Sequence, residues 1–452
     1  MTMLSAEAFE PWSFAVRKFF KAVFEPRPSE EVAKLVRETL GEKEVAMYVH
    51  IPFCTGTCTF CPYARRPVAR NELEHVLSKY FRALATELRI YSEILGGEEL
   101  RIIDLHVGGG TPSLVPGRYW RFFLEELTSR FDAEPRLAIE ANPEDLRDEG
   151  RAHDLVDSGV NEVSLGIQTF NPRLLRVLGR RHSVEDSLRA IDNLRQAGCD
   201  YINIDLMYAI PGETLDDWVK DLDNASNLNV DEITCYPTLV TRGTPGYELM
   251  KRGALPPQPS MRTFRKMVYA CEDLLPRRGF RGVEIYGYSR REGWKYFTVN
   301  YEMEGPLIGL GAGAMGFTGG FEYQNTCFPE HYVSRLIDGK LPIAGCRRVS
   351  VRERAVRYVV CRLFICRELS KKSFSRKFGR SFDELIGKSG FGFVLRVMKL
   401  LNYVEERGDV VSLTRKGLFE AHRACWAFVL NVPCRITEEF MKSPWPSRVE
   451  IP

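Results

Sequence analysis

The chain has 452 residues and carries 63 basic against 60 acidic side chains, a net charge of +3. That length supports a large core and two or three domains, and the near balance of charge argues against a general affinity for polyanions. Its apolar runs are too short to span a bilayer and it opens without a signal-peptide pattern, so a membrane or secreted protein is not expected.

Taken in chain order, residues 1–41 read as an amphipathic helical extension. It carries an apolar stripe of Trp12, Phe14, Phe19, Phe20 and Phe24, expected to pack on the following domain. Strand-like apolar runs follow near 45–51, 102–107, 136–140, 162–167, 201–207 and 232–236. They are separated by helical segments over Glu72–Leu95, Trp120–Arg130, Leu146–Ser158, Val184–Ala197 and Leu215–Leu228. Repeated strand–helix units argue for an α/β fold with parallel strands and outer helices. Six units over 42–270 suggest a partial, TIM-like (β/α)6 barrel with ligands at the C-terminal strand ends.

The pattern changes after about residue 270. From Arg347 onward three helices precede a short hairpin around Arg407-Gly408-Asp409, a mainly helical, winged-helix-like arrangement over 347–452. Lys371, Lys372, Arg376, Lys377 and Arg380 form a basic helical patch there. Such patches are usually solvated faces, so nucleic-acid binding is not expected.

The chemistry concentrates in His50-Ile51-Pro52-Phe53-Cys54-Thr55-Gly56-Thr57-Cys58-Thr59-Phe60-Cys61. The C-x3-C-x2-C spacing supplies three thiolates, one fewer than a four-cysteine iron–sulfur cage needs. A [4Fe–4S] cluster on Cys54, Cys58 and Cys61 would keep one iron open, and an open position separates reactive from structural metal sites. On these residues alone, a zinc knuckle and a chance grouping among 12 cysteines stay open. The other cysteines are scattered, mostly in apolar surroundings.

Further features lie at the ends of the strand-like runs. Gly108-Gly109-Gly110-Thr111-Pro112 follows the second, and three successive glycines permit positive φ and close backbone approach to a ligand. Glu140 ends the third, just before Ala141-Asn142-Pro143. Gln168 ends the fourth, Arg180 follows in Gly179-Arg180-Arg181-His182, and Asp205 interrupts the apolar fifth run. Buried polar groups of this kind are costly unless hydrogen-bonded.

The loop and its approach, Ala46–Phe53, together with these ordered motifs, resemble the radical S-adenosylmethionine (SAM) superfamily. The branch it resembles holds the oxygen-independent coproporphyrinogen III oxidases, related haem chaperones and class C radical methyltransferases. The resemblance runs from about Tyr48 to the C-terminal region. It implies a [4Fe–4S] cluster and SAM as cofactors, with one SAM molecule or two. It also implies reductive cleavage of SAM to a 5′-deoxyadenosyl radical that abstracts hydrogen from a substrate. By resemblance, Gly109, Gly110, Thr111, Glu140, Tyr48 and Met315 contact the first SAM, while Gln168, Arg180 and Asp205 surround a second SAM or a substrate.

The same likeness implies a barrel-flanking extension over 271–346 and a C-terminal cap over 347–452. Its implied partners are a small-molecule, tetrapyrrole-type substrate and a reduced flavodoxin or ferredoxin-type electron donor, in a cytoplasmic setting. Three departures lean away from coproporphyrinogen oxidation and toward the chaperone and methyltransferase branches. The loop continues Cys61-Pro62-Tyr63 without a further cysteine, Gln168 is followed by Thr169-Phe170, and Glu140 opens Glu-Ala-Asn-Pro. A chaperone would need an axial haem ligand, for which His106, His182 and His331 are the candidates.

Overall fold

The computed structural model describes residues 21–134, 136–238, 240, 244–291, 305–425 and 431–451. Its central feature is a run of six parallel strands in sequential order. These are β1 (Glu44–Ile51), β2 (Arg101–Gly109), β3 (Leu137–Ala141), β4 (Val160–Gln168), β5 (Tyr201–Tyr208) and β6 (Glu232–Pro237). Each coincides with an expected apolar run, the third shifted by one residue and the others widened by one to three residues in total. Most of their side chains are buried, as in β5, where only Asp205 is even partly exposed. That is the pattern of parallel strands covered on both faces.

The covering layer is helical. Leu73–Leu95 links β1 to β2, Gly117–Thr128 links β2 to β3, and Glu149–Val156 precedes β4. Val184–Gln196 and Leu215–Ser226 follow β4 and β5, and both begin on capping boxes, at Ser183 with Asp186 and at Thr214 with Asp217. Each box satisfies amide groups that a helix start leaves unpaired. The result is the α/β, TIM-like partial barrel that the strand–helix alternation implies.

The sheet does not end at β1. β7 (Leu307–Leu310) pairs parallel to it, and β8 (Met315–Phe317), β9 (Phe321–Asn325) and β10 (Ile343–Arg348) continue antiparallel. At the opposite edge Gly287–Ser289 pairs antiparallel to β6. Beyond β10 come the helices Val351–Val360, Lys371–Phe378 and Gly390–Leu400. A three-stranded sheet of Glu368–Ser370, Val410–Leu413 and Val404–Arg407 accompanies them. No helix among the described residues is long and apolar enough to cross a membrane.

One local expectation fails. Phe24 does not belong to a helical stripe: it sits in the strand Ala22–Phe24, which pairs antiparallel with Val449–Ile451 and meets Phe440 edge-on at 5.7 Å. The pairing partner lies more than 400 residues away, so the tertiary pairing overrides a weak helical period. The described helix in this region is Ser29–Thr39. Trp12, Phe14, Phe19 and Phe20 lie outside the described residues.

Candidate functional site

The ends of the parallel strands and the loops after them enclose a cavity of about 520 Å³. All twelve residues singled out from the sequence line it: Tyr48, Cys54, Cys58, Cys61, Gly109, Gly110, Thr111, Glu140, Gln168, Arg180, Asp205 and Met315. They come from strands, loops and a helix end spread over more than 260 positions, and the barrel topology brings them together.

Pro52 interrupts pairing after β1, and the chain then enters the cysteine loop. Several independent contacts hold this loop. Phe53–Cys54 pairs with Arg66–Pro67, and Val68 N donates to Cys54 O at 2.9 Å. Arg181 reaches across from the end of β4's following segment to donate to Thr55 O at 3.0 Å and to Thr55 Oγ1 at 2.5 Å. Thr59 N and Oγ1 donate to the carbonyls of Leu178 and Val177, at 3.1 and 3.0 Å. Gly246 N donates to Thr59 O at 2.7 Å. The loop is thus pinned to three other parts of the barrel.

The thiols carry their own partners. Thr111 Oγ1 donates to Cys54 Sγ and Arg180 Nη1 to Cys58 Sγ, both at 3.4 Å. Burial pushes the Cys54 thiol up to about 11, against the Thr111 hydrogen bond, and burial also raises Cys61. Metal binding must therefore supply the energy of deprotonation, and the two donors stabilise the sulfur charge that results. Among the described residues no three His, Cys, Asp or Glu side chains converge on one point. The donor chemistry and the open cavity beside it fit a [4Fe–4S] cluster.

Gly108–Gly110 forms a close-fitting cradle. A Cβ on Gly108 would lie 2.7 Å from Glu140 Oε1, and Gly109 has φ +114°, which favours glycine. Gly109 N donates to Glu140 Oε2 at 3.3 Å, and His106 Nε2 lies 3.4 Å from Glu140 Oε1. Tyr48 stacks on His106 at 5.9 Å between ring centroids, and its hydroxyl lies 2.8 Å from His50 Nδ1. His50 Nε2 faces the Ala64 carbonyl at 3.0 Å, which can only accept. Nε2 therefore carries the proton and Nδ1 accepts from Tyr48. Burial lowers the pKa of His50, in keeping with a neutral ring.

The other half of the site is polar and constrained. Gln168 sits at φ +70°, a strained position for a non-glycine residue of the kind that collects at functional sites. Arg180 Nη2 donates to Asn142 Oδ1 at 2.7 Å and to Gly166 O at 2.9 Å. Asp205 accepts from Ser164 at 2.8 Å and from Asn203 at 3.0 Å. Burial raises Asp205 to about 7; the Ser164 hydrogen bond opposes this and the charge of Glu140 adds to it. Burial likewise resists ionisation of Glu144, but the His182 contact at 3.3 Å and the charge of Arg180 outweigh it, holding the carboxyl at about 2.

Of the candidate haem ligands, His106 lines the cavity. His182 Nε2 faces the Ile167 carbonyl at 3.1 Å, and His331 packs edge-on against Trp445. Sequence reasoning missed His50 and Asn142, although both sit inside motifs it quoted. It also missed Glu322, Arg347 and Arg357 on the inner wall, which no local motif marks.

A partial parallel barrel with a three-cysteine loop at its C-terminal mouth defines a class, and the comparisons name it. Residues 48–225 match the family model described as Radical SAM superfamily. A protein of Bacillus subtilis named heme chaperone HemW is 27% identical over 387 residues, covering 84% of this chain and 98% of its own. The heme chaperone HemW of Mycobacterium tuberculosis is 32% identical over 302 residues, 66% of this chain and 76% of that one. Among solved structures, coproporphyrinogen III oxidase (HemN) from Escherichia coli superposes with a TM-score of 0.75. It covers 92% of this chain and 98% of that chain at 19% identity, a likeness of fold. The chain belongs to the coproporphyrinogen III oxidase-like (HemN-like) family of radical SAM proteins, which implies a [4Fe–4S] cluster and SAM.

Proposed function

We propose that this protein is a cytoplasmic radical SAM enzyme that acts on a tetrapyrrole-type substrate. The observation that carries the reading is the single cavity that gathers the three cysteines, the glycine cradle and Glu140, Gln168, Arg180 and Asp205. Its size falls in the usual range for small-molecule sites. A [4Fe–4S] cluster bound there would supply the electron for reductive cleavage of SAM, and with it the means to take hydrogen from an unactivated C–H bond.

The chain's own residues do the rest. Cys54, Cys58 and Cys61 hold three irons, with Thr111 and Arg180 donating to two of the sulfurs. Gly109, Gly110 and Thr111 admit the methionine end of SAM against the backbone, and Glu140, Tyr48 and Met315 complete its walls. Gln168, Arg180 and Asp205 line the adjoining space for the substrate or a second SAM. A reduced flavodoxin or ferredoxin-type protein supplies the electron.

A second reading is favoured by the relatives named heme chaperone: the same cavity would hold haem for delivery without turnover. A class C methyltransferase, using two SAM molecules, fits the polar residues around Gln168. Anaerobic product analysis with dithionite, SAM and a porphyrin panel separates the three. 5′-Deoxyadenosine with loss of carbon dioxide supports dehydrogenation. Both 5′-deoxyadenosine and S-adenosylhomocysteine with a methyl or methylene mass gain support methyl transfer. Neither nucleoside together with tight haem binding overturns the enzyme reading in favour of the chaperone.

A further inference from the structure

The inner end of the cavity carries a charged group that the cofactor chemistry does not use. Register places it. Leu307 pairs with Ala46 of β1 and with Phe317, Phe317 pairs with Glu322, and Glu322 pairs with Arg347. Directly paired residues share a face, so Leu307, Phe317, Glu322 and Arg347 form one row across the inner wall. That row is level with Ala46, five residues before the end of β1 and so about 16 Å below the cysteine loop at the usual strand rise.

Arg357, on the helix Val351–Val360, joins this row from the side. Its guanidinium lies 4.6 Å from the Phe317 ring centroid, and Nη2 donates to Glu322 Oε1 at 3.0 Å. Arg347 Nε takes the other oxygen, Glu322 Oε2, at 2.7 Å, and its Nη2 reaches both that oxygen and Glu353, at 2.5 and 2.6 Å. Glu322, Arg347 and Arg357 all line the cavity. Arg357 is 8% exposed, yet its Nη1 has no hydrogen-bond partner among the described residues.

A structural ion pair does not need this arrangement. Arg347 already pairs with Glu322 as well as with Glu353, and burying a second guanidinium with an unpaired N–H is costly. At this row the cavity lining holds Arg347 and Arg357 against Glu322. Glu353 lies on the more exposed side of Arg347, and Arg354 stands nearby with Glu42 beside it. An oxyanion would complete the set, and a planar guanidinium fork matches a carboxylate. The neighbouring wall of Leu307, Val360 and Ile365 is apolar, which suits a ligand whose acidic arm hangs from an apolar body.

We propose that Arg357, oriented by Glu322 and assisted by Arg347, is the subsite for a carboxylate arm of the substrate, a reading that rests on the tetrapyrrole assignment above. SAM's own carboxylate is the competing occupant, but its expected place is at the glycine cradle, at the other end of the cavity. The test is an absorption titration of the reconstituted full-length protein with haem and with haem dimethyl ester, whose two acid arms are blocked. The wild type should bind the free acid at least about tenfold more tightly, the scale of one charge-assisted hydrogen bond. Arg357→Gln should bind both forms alike, and Arg357→Lys should recover part of the preference, with SAM affinity and the four-iron absorption unchanged.

Equal binding of both forms by the wild type overturns the subsite without any variant. So does a preference retained in Arg357→Gln, or a loss of SAM affinity there in place of haem preference. Binding of neither form overturns the tetrapyrrole assignment itself.

Discussion

Replacing Gly110 by alanine tests whether the glycine cradle positions the cluster loop. A Cβ there would lie 2.6 Å from Phe53 O and 2.9 Å from both Ile51 O and Pro52 C. All three are backbone atoms of the segment that leads into Cys54, so no side chain can rotate out of the way. Restoring an ordinary 3.4 Å contact requires the loop to move by about 0.8 Å. It would also strain the bond from Gly110 N to Ile51 O, now 2.7 Å. Overpacking of this kind costs about 1–3 kcal/mol, and a displacement near 1 Å at a reacting centre costs about 10²-fold in rate.

Gly110→Ala should therefore lower thermal stability by a few degrees and SAM cleavage by about two orders of magnitude. Gly41→Ala is the control, because a Cβ at Gly41 meets nothing within 4 Å. The assays are thermal unfolding of the apoprotein and anaerobic release of 5′-deoxyadenosine. A Gly110→Ala protein that melts and cleaves SAM like Gly41→Ala would show that Gly110 does not position the loop.

Three further outcomes are expected. Arg181→Ala removes two contacts to Thr55 and should speed loss of iron to a chelator several-fold while leaving the unfolding temperature nearly unchanged; an unaltered rate would show that the loop does not depend on this contact. Glu87, fully buried, accepts from Gly311 N, Asn325 Nδ2 and Tyr332 at 2.9, 2.9 and 2.6 Å, and burial raises it to about 7. Because the folded state keeps this proton to higher pH than the unfolded chain does, the group's contribution to stability falls as pH rises from about 4.5 to about 7, by up to about 3 kcal/mol. Denaturant titrations across that window should show Glu87→Gln gaining stability relative to the wild type as pH rises, and a difference that does not change with pH would contradict the assignment. Asp205→Asn should lower substrate or SAM affinity without loss of the four-iron absorption, since Asp205 lines the cavity and its hydrogen bonds run to Ser164 and Asn203; loss of iron in that variant would count against separate roles.

The six barrel strands were legible because parallel strands covered on both faces leave continuous apolar runs, and each run ended in a residue that interrupts it. Pro52, the glycines at 108–110 and Pro143 all mark such ends. The cradle could be read for the same reason, since three glycines together have few other uses. The inner wall could not. Glu322, Arg347 and Arg357 sit 25 and 10 residues apart with no spacing rule between them, and only the antiparallel register of β8–β10 aligns the first two. The strand Ala22–Phe24 escaped notice because its partner, Val449–Ile451, lies at the far end of the chain. The strain at Gln168 was equally invisible, because nothing in the residue type asks for φ +70°.

Cys54, Cys58 and Cys61 are proposed to hold a four-iron cluster whose remaining iron is open to SAM. Electron paramagnetic resonance of the anaerobically reconstituted, dithionite-reduced protein, with and without SAM, tests it most directly. The expected result is a reduced [4Fe–4S] signal whose g-values shift when SAM is added, and loss of that signal in Cys54→Ala, Cys58→Ala and Cys61→Ala alike. A full four-iron signal in any one of these variants, or a wild-type signal indifferent to SAM, would contradict it.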